Sequence, residues 1–360
     1  QNPVKHCLPG EGKGDETWFE RFNQFEQQET LRQVNYKRNK LKINEAGVWS
    51  KRANYQYPHI LPQNSLENAF FPPLAKEIIS HLNEEKIMLH SEALNLRSSQ
   101  VCCLNILFPL KKDLELAKKV LKSLLPNVSK VECIDFEYTG PAKVTEWLGE
   151  PPGGKRGQNR TSIDAAICWK NGGGKRCITL LEWKYTERSF GSCGGYESDS
   201  NEDKNKCRKL DALSVDPEKQ CFLTKGTPQT SRRYWNHLEA AGINKTKFKY
   251  IKGCPFRGPF YQLLRQCLLA SYLRRNLEDI DYVEVAAIHF DGNKSLLRCP
   301  RTLQPLISDD NGNVVDAWNS VLTNVPLVKQ LAIENVMRTA EDILDKDNPW
   351  RKYIKERYGV

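Results

Sequence analysis

Between Thr161 and Glu187 the chain carries two apolar runs, Thr-Ser-Ile-Asp-Ala-Ala-Ile-Cys-Trp-Lys and Lys-Arg-Cys-Ile-Thr-Leu-Leu-Glu-Trp-Lys-Tyr-Thr-Glu, joined by Asn171-Gly172-Gly173-Gly174. Apolar runs on either side of a Gly-rich turn read as a β-hairpin, since glycine reaches the positive φ values that tight turns demand. Side chains alternate along a strand, so Asp164 shares a face with Ala166 and Cys168, and Glu182 shares one with Leu180 and Lys184. With the hairpin centred on Gly173, Asp164 and Glu182 each stand nine residues from the centre and face one another. Directly opposed residues have Cβ atoms roughly 5 Å apart. Two carboxylates and one ammonium then converge at the end of the hairpin away from its turn.

Such a cluster suits a hard divalent cation. Mg²⁺ takes oxygen ligands, keeps several waters, and is held by one or two carboxylates plus the phosphate oxygens of a substrate. It lowers the pKa of a bound water and neutralises charge developing on a phosphate. Lys184 beside it would orient or help deprotonate that water and stabilise the transition state. A half-buried hairpin with a salt bridge explains the same residues, because Glu-x-Lys is common by chance.

Asp164 followed by Glu182-Trp183-Lys184 at the end of the next strand resembles the Asp…Glu-x-Lys core of the PD-(D/E)XK, or restriction-endonuclease-like, nuclease superfamily. The flanking segments at 156–166 and 181–187 resemble a family of bacterial restriction-type endonucleases within it. So do Ser98-Ser99-Gln100 with Leu104-Asn105, the run Gly258 to Arg265, and the closing Trp350-Arg351…Arg357-Tyr358. The similarity covers most of the chain from about residue 45. Ile163 stands where the superfamily name has Pro, a position that varies widely. The resemblance implies an α/β fold with a restriction-endonuclease-like core, a mixed central sheet flanked by helices. It also implies Mg²⁺-dependent hydrolysis of DNA (Mn²⁺ a possible substitute), Asp164, Glu182 and the Trp183 backbone carbonyl on the metal, and Lys184 beside the water. A catalytically silent nucleic-acid-binding module with the same fold is the alternative, and the complete Asp/Glu/Lys set argues against it.

At 360 residues the chain exceeds one comfortable core. Residues 1–88 read as an N-terminal helical and extended segment, 89–300 as the nuclease core with an insertion at about 190–252, and 301–360 as a C-terminal helical extension. A hydrophobic content of 39% with 27% charged residues fits a water-soluble protein, and no apolar run approaches a membrane span. The net charge of +10 points to a polyanionic partner without identifying one. None of the twelve cysteines sits in a Cys-x-x-Cys pair, so they read as small buried hydrophobes in a reducing cytoplasm. The wide spacing of Cys193, Cys207, Cys221 and Cys254 lacks the knuckles of ordinary zinc sites, and the sequence assigns them no role. A homodimer is compatible with all of this.

Helices are expected over Thr17–Arg38, Leu74–Leu82, Ser91–Leu110, Lys111–Leu125, Pro259–Arg275, Leu327–Leu344 and Trp350–Arg357, and strands over Ser129–Tyr138 and Tyr282–Phe290. The N-terminal segment is expected to brace the core. On the first core helix Glu92 is the acidic candidate, while the family resemblance favours Gln100 as the polar group turned to the site. Ile134, Phe136 and Tyr138 form the apolar face of the first strand, leaving Glu137 opposite as a further acid candidate. The loop 149–160 is Gly-rich and basic and runs straight into Asp164, so Lys155, Arg156 and Arg160 are expected to reach phosphates beside the metal. Gln262, Arg265 and Gln266 on the later helix are placed at the groove, the first two as DNA contacts. His289 reads as a satisfied strand-end histidine.

Overall fold

The structure, a computed structural model, describes residues 18–50, 52–153, 159–225, 231–309 and 311–360. Five strands form one sheet in the spatial order β1 (Val128–Tyr138), β2 (Ile163–Asn171), β3 (Arg176–Trp183), β4 (Tyr282–His289) and β5 (Lys329–Ala332). The first three are antiparallel, and β4 and β5 each add in parallel. Among the helices that frame it are α1 (Gln24–Asn39), α2 (Ser99–Lys112), α3 (Phe260–Asn276), α4 (Ile333–Ile343) and α5 (Pro349–Tyr358). The expected α/β architecture, a mixed sheet flanked by helices, is present.

Alternation along the strands divides the interior into two cores. Ala165, Ile167 and Trp169 of β2 and Leu181 and Trp183 of β3 pack with α2, α4 and α5. Ala166, Ile178 and Leu180 pack on the other face with Phe260, Leu264 and Leu268 of α3. Asp164 and Glu182 continue the second series, which turns both acids toward the α3 side at the open end of the hairpin.

Where the elements depart from expectation, capping and pairing explain the difference. α1 starts at Gln24 because Asn23 accepts from the Glu26 N–H at 2.9 Å while the Glu26 carboxylate accepts from the Asn23 N–H, a capping box. The helix expected from Ser91 begins only at Ser99: the Asn95 side chain accepts from the Arg97 N–H at 3.0 Å in a local turn, and Ser98 then caps the helix. Pro109 lies in the last turn of α2. The Asn105 carbonyl, left without its i+4 N–H, accepts from Trp350 Nε1 at 3.1 Å instead. The next helix restarts at Leu114, where Asp113 accepts from the Leu116 N–H.

Two corrections bear on the sheet. The run expected as a helix from Leu327 opens as the edge strand β5, paired with Ala286–His289, and turns helical only at Ile333. Tyr138 does not share a face with Ile134 and Phe136, because Glu137 has φ of 47° and reverses the alternation, so Tyr138 packs against the α3 core. The N-terminal segment braces the core. From α1, Gln33 Nε2 donates to the Tyr185 hydroxyl at 2.8 Å, and that hydroxyl donates to Glu29 at 2.7 Å. Among the described residues no helix is long and apolar enough to cross a membrane.

Candidate active site

The hairpin pairs Ala165 with Leu181 and Ala166 with Leu180, the register centred on Gly173. One more step sets Asp164 against Glu182. Asp164 Oδ2 also accepts from the Trp183 N–H at 2.6 Å, tying it to the strand that carries the second acid. On the other side, β1 pairs Phe136 with Ala165 and Tyr138 with Ile163, so Glu137 falls beside Asp164. Three adjacent strands therefore each end in a carboxylate. The left-handed backbone at Glu137 is a strained conformation for a non-glycine residue, of the kind that collects at functional sites.

Glu182 is the most supported of the three. Its Oε1 accepts from Lys184 Nζ at 2.7 Å and from Gln262 Nε2 at 2.5 Å, and its Oε2 accepts from Gln266 Nε2. Residues four apart share a helix face, so α3 delivers both amides to one carboxylate. Gln262 in turn accepts from the Gly191 N–H at 2.6 Å, which leaves both ends of its amide committed within the protein. Glu137 accepts from Gln100 Nε2 at 2.7 Å and from the Ser162 hydroxyl at 3.2 Å. Gln100 is itself aligned by the His90 N–H, which it accepts at 2.9 Å.

The electrostatics follow from crowding acids where water is scarce. Burial, then the neighbouring Glu137 charge, pushes the Asp164 carboxyl up to about 7. Burial, then Asp164, pushes Glu182 up to about 8. For Lys184 burial acts downward, but Glu182, Glu187 and Asp164 outweigh it and raise its pKa, so the ammonium stays charged. Five acids, Glu92, Glu137, Asp164, Glu182 and Glu187, line this cleft against three cations, Lys184, Arg97 and Arg265, which favours an added proton or an added cation.

These groups line one cleft of about 540 Å³, together with Glu92, Ser162 and Glu187. Glu92 lies at its mouth and accepts from the Ser50 hydroxyl at 2.5 Å. Arg265 also lines the cleft, but its Nε donates to Thr161 Oγ1 at 3.0 Å within a buried network built on Glu150. Arg160 lies at a separate groove with Glu146, Glu150 and Arg233, and donates to Thr139 Oγ1 at 3.0 Å. Lys155 and Arg156 lie outside the described residues. His289 is buried at the end of β4, as expected. Sequence reasoning missed His90, Ser162 and Glu187. Ser162 was in view beside Asp164, whereas His90 and Glu187 sit in turns where no periodicity marks a facing side.

Among the described residues no three metal-ligating side chains are gathered tightly enough to hold an ion as the chain stands. Asp164, Glu182 and Glu137 nevertheless supply oxygen donors only, and two carboxylates with water suffice for Mg²⁺, so the residues fit in kind.

A family model described as "Restriction Endonuclease associating with ARP" matches residues 30–359. The chain belongs to this family. The restriction-endonuclease family thus spans both cores, the hairpin, α3 and the closing helix α5, and the mixed sheet with its flanking helices is consistent with a restriction-endonuclease-like core. No curated protein and no solved structure matches the chain.

Proposed function

We propose that this restriction-endonuclease family member is a Mg²⁺-dependent endonuclease that hydrolyses phosphodiester bonds of DNA. The observation that carries the reading is the opposition of Asp164 and Glu182 across the hairpin, with Lys184 2.7 Å from Glu182 on the same face. Asp164, Glu182 and the Trp183 carbonyl would hold the cation, with Glu137 as a further acid beside them. When bound, the metal supplies charge neutralisation at the phosphate and a more acidic water.

The chain's own residues do the rest. Gln262 and Gln266 fix the Glu182 carboxylate, so that its position does not depend on the cation arriving. Gln100 and Ser162 do the same for Glu137. Lys184 carries a raised pKa and so acts as a hydrogen-bond donor to charge building on the phosphate rather than as a base. The basic loop of Lys155, Arg156 and Arg160 would position the DNA backbone by phosphate contact, without reading sequence.

Incubating the purified protein with plasmid, linear and single-stranded DNA, in Mg²⁺ or Mn²⁺ and in EDTA, tests the reading. Cleavage that requires the divalent ion supports it. DNA bound but never cut would turn the assignment to the silent binding module.

A further inference from the structure

Thirteen residues separate Cys193 from Cys207 and Cys207 from Cys221, and thirty-two separate Cys221 from Cys254. The fold nevertheless brings the four together. The Cys254 N–H donates to the Cys207 carbonyl at 2.7 Å, and the Cys193 N–H donates to the carbonyl of Arg257, just beyond Cys254, at 3.1 Å. Gly195 lies so close to Leu223 that a Cβ there would come within 2.7 Å of that side chain, which sets the Cys193 and Cys221 turns side by side. The Cys254 sulfur is within electrostatic reach of Cys221, Cys193 and Cys207.

A second observation concerns what surrounds the sulfurs. Burial pushes all four thiols up. Against it, the backbone N–H groups of Tyr196 and Gly195 near Cys193, of Leu223 and Thr224 near Cys221 and of Phe256 near Cys254 favour the thiolate, as do Arg257 and the Asn201 side chain near Cys207. The thiolate is the form that binds metal, and a bound cation would supply the positive charge that these buried sulfurs lack.

We propose that Cys193, Cys207, Cys221 and Cys254 form a structural zinc site that pins the insertion between β3 and α3. Four sulfur donors leave no open position, the mark of a structural rather than a catalytic zinc. The sulfurs do not yet stand at ligand spacing, since no group of three among the described residues is tight enough for an ion. The ion would draw the turns inward. The need for a staple is plain from the elements in between, helical turns of three to six residues such as Gly194–Glu197, Lys204–Lys209 and Phe222–Thr224. None is long enough to hold its shape alone.

The test uses the full chain and does not depend on nuclease activity. Elemental analysis of the purified protein should find about one zinc per chain, with no stoichiometric iron. Replacement by Co²⁺ should give a thiolate-to-cobalt charge-transfer band and the strong visible bands of a tetrahedral site. Cys207→Ser and Cys254→Ser should each lose the zinc, whereas Cys133→Ser, on β1, should keep it. A wild-type protein that carries no zinc and shows no thiolate band with Co²⁺ overturns the proposal. So does full zinc retention in Cys254→Ser, or iron in place of zinc. If the serine variants fail to fold, the wild-type metal content and cobalt spectrum still decide.

Discussion

Gln266 offers a sharp separation between what the fold needs and what the site needs. The residue is buried, its Nε2 donates to Glu182, and its Oε1 has no hydrogen-bond partner among the described residues. A buried acceptor without a partner costs about 1–3 kcal/mol, while a hydrogen bond to a charged group contributes about 1.5–3 kcal/mol. In Gln266→Leu both vanish and apolar surface of similar volume replaces the amide. Stability should therefore stay within about 1 kcal/mol of wild type, since the two effects nearly cancel. Catalysis has no such cancellation. Glu182 Oε2 loses the donor that fixes it, and residues that orient a metal ligand are worth about 10- to 100-fold in metal affinity or activity. The upper figure equals about 2.7 kcal/mol, the size of the lost bond. The assay is a Mg²⁺ titration of plasmid cleavage, paired with thermal denaturation and with DNA binding in EDTA. The expected result is a Mg²⁺ affinity lower by about 10- to 100-fold, with melting and DNA affinity unchanged. Equal or tighter Mg²⁺ affinity would refute the reasoning, because it would mean that the amide occupies the oxygen the cation requires.

Asp164→Ala and Glu182→Ala should each abolish divalent-dependent cleavage while duplex binding in EDTA persists, as read by gel and by anisotropy. Lys184→Ala should slow cleavage while sparing Mg²⁺ affinity more than either acid substitution does, as calorimetry would show. Adding EDTA to the wild type should stop cleavage and leave binding, and excess Mg²⁺ should restore it. Neutralising Lys155, Arg156 and Arg160 together should flatten the slope of log K against log salt by up to about 3 units, at about 0.9 per phosphate contact. An unchanged slope in a salt series would place the DNA-contacting basic surface elsewhere on the chain.

The hairpin was legible in the sequence because its signals are local: alternation, a Gly-rich turn and the symmetry about Gly173 set Asp164 opposite Glu182 before any tertiary contact is known. Gln262 and Gln266 were placed at the groove by their helix, but their shared grip on Glu182 depends on where α3 lands, which no periodicity encodes. Glu137 was assigned by alternation, and it reaches the site through a left-handed backbone that breaks the alternation. The edge strand β5 was read as helix because a four-residue run flanked by helical sequence carries too little period-two signal, and pairing with β4 decides its form. The four cysteines were opaque for the same reason as the glutamines. Their spacing is irregular, and only the folded insertion shows them together.

The mixed order of the sheet also sets a timetable for the chain. β1, β2 and β3 are contiguous antiparallel neighbours, so the two opposed acids can meet as soon as the hairpin closes, on a microsecond scale. The parallel partner of β3 begins about a hundred residues downstream, and α3, with the amides that hold Glu182, lies on the way to it. At ribosomal speeds of about 5–20 residues per second, that interval is roughly 5–20 seconds. Through it β3 is an edge strand with a bare row of N–H and C=O groups, open to pairing with another nascent chain. A chain that forms its acid-bearing hairpin early and closes its sheet late thus depends on its long insertion folding promptly, and chaperone demand should peak while that insertion is being made.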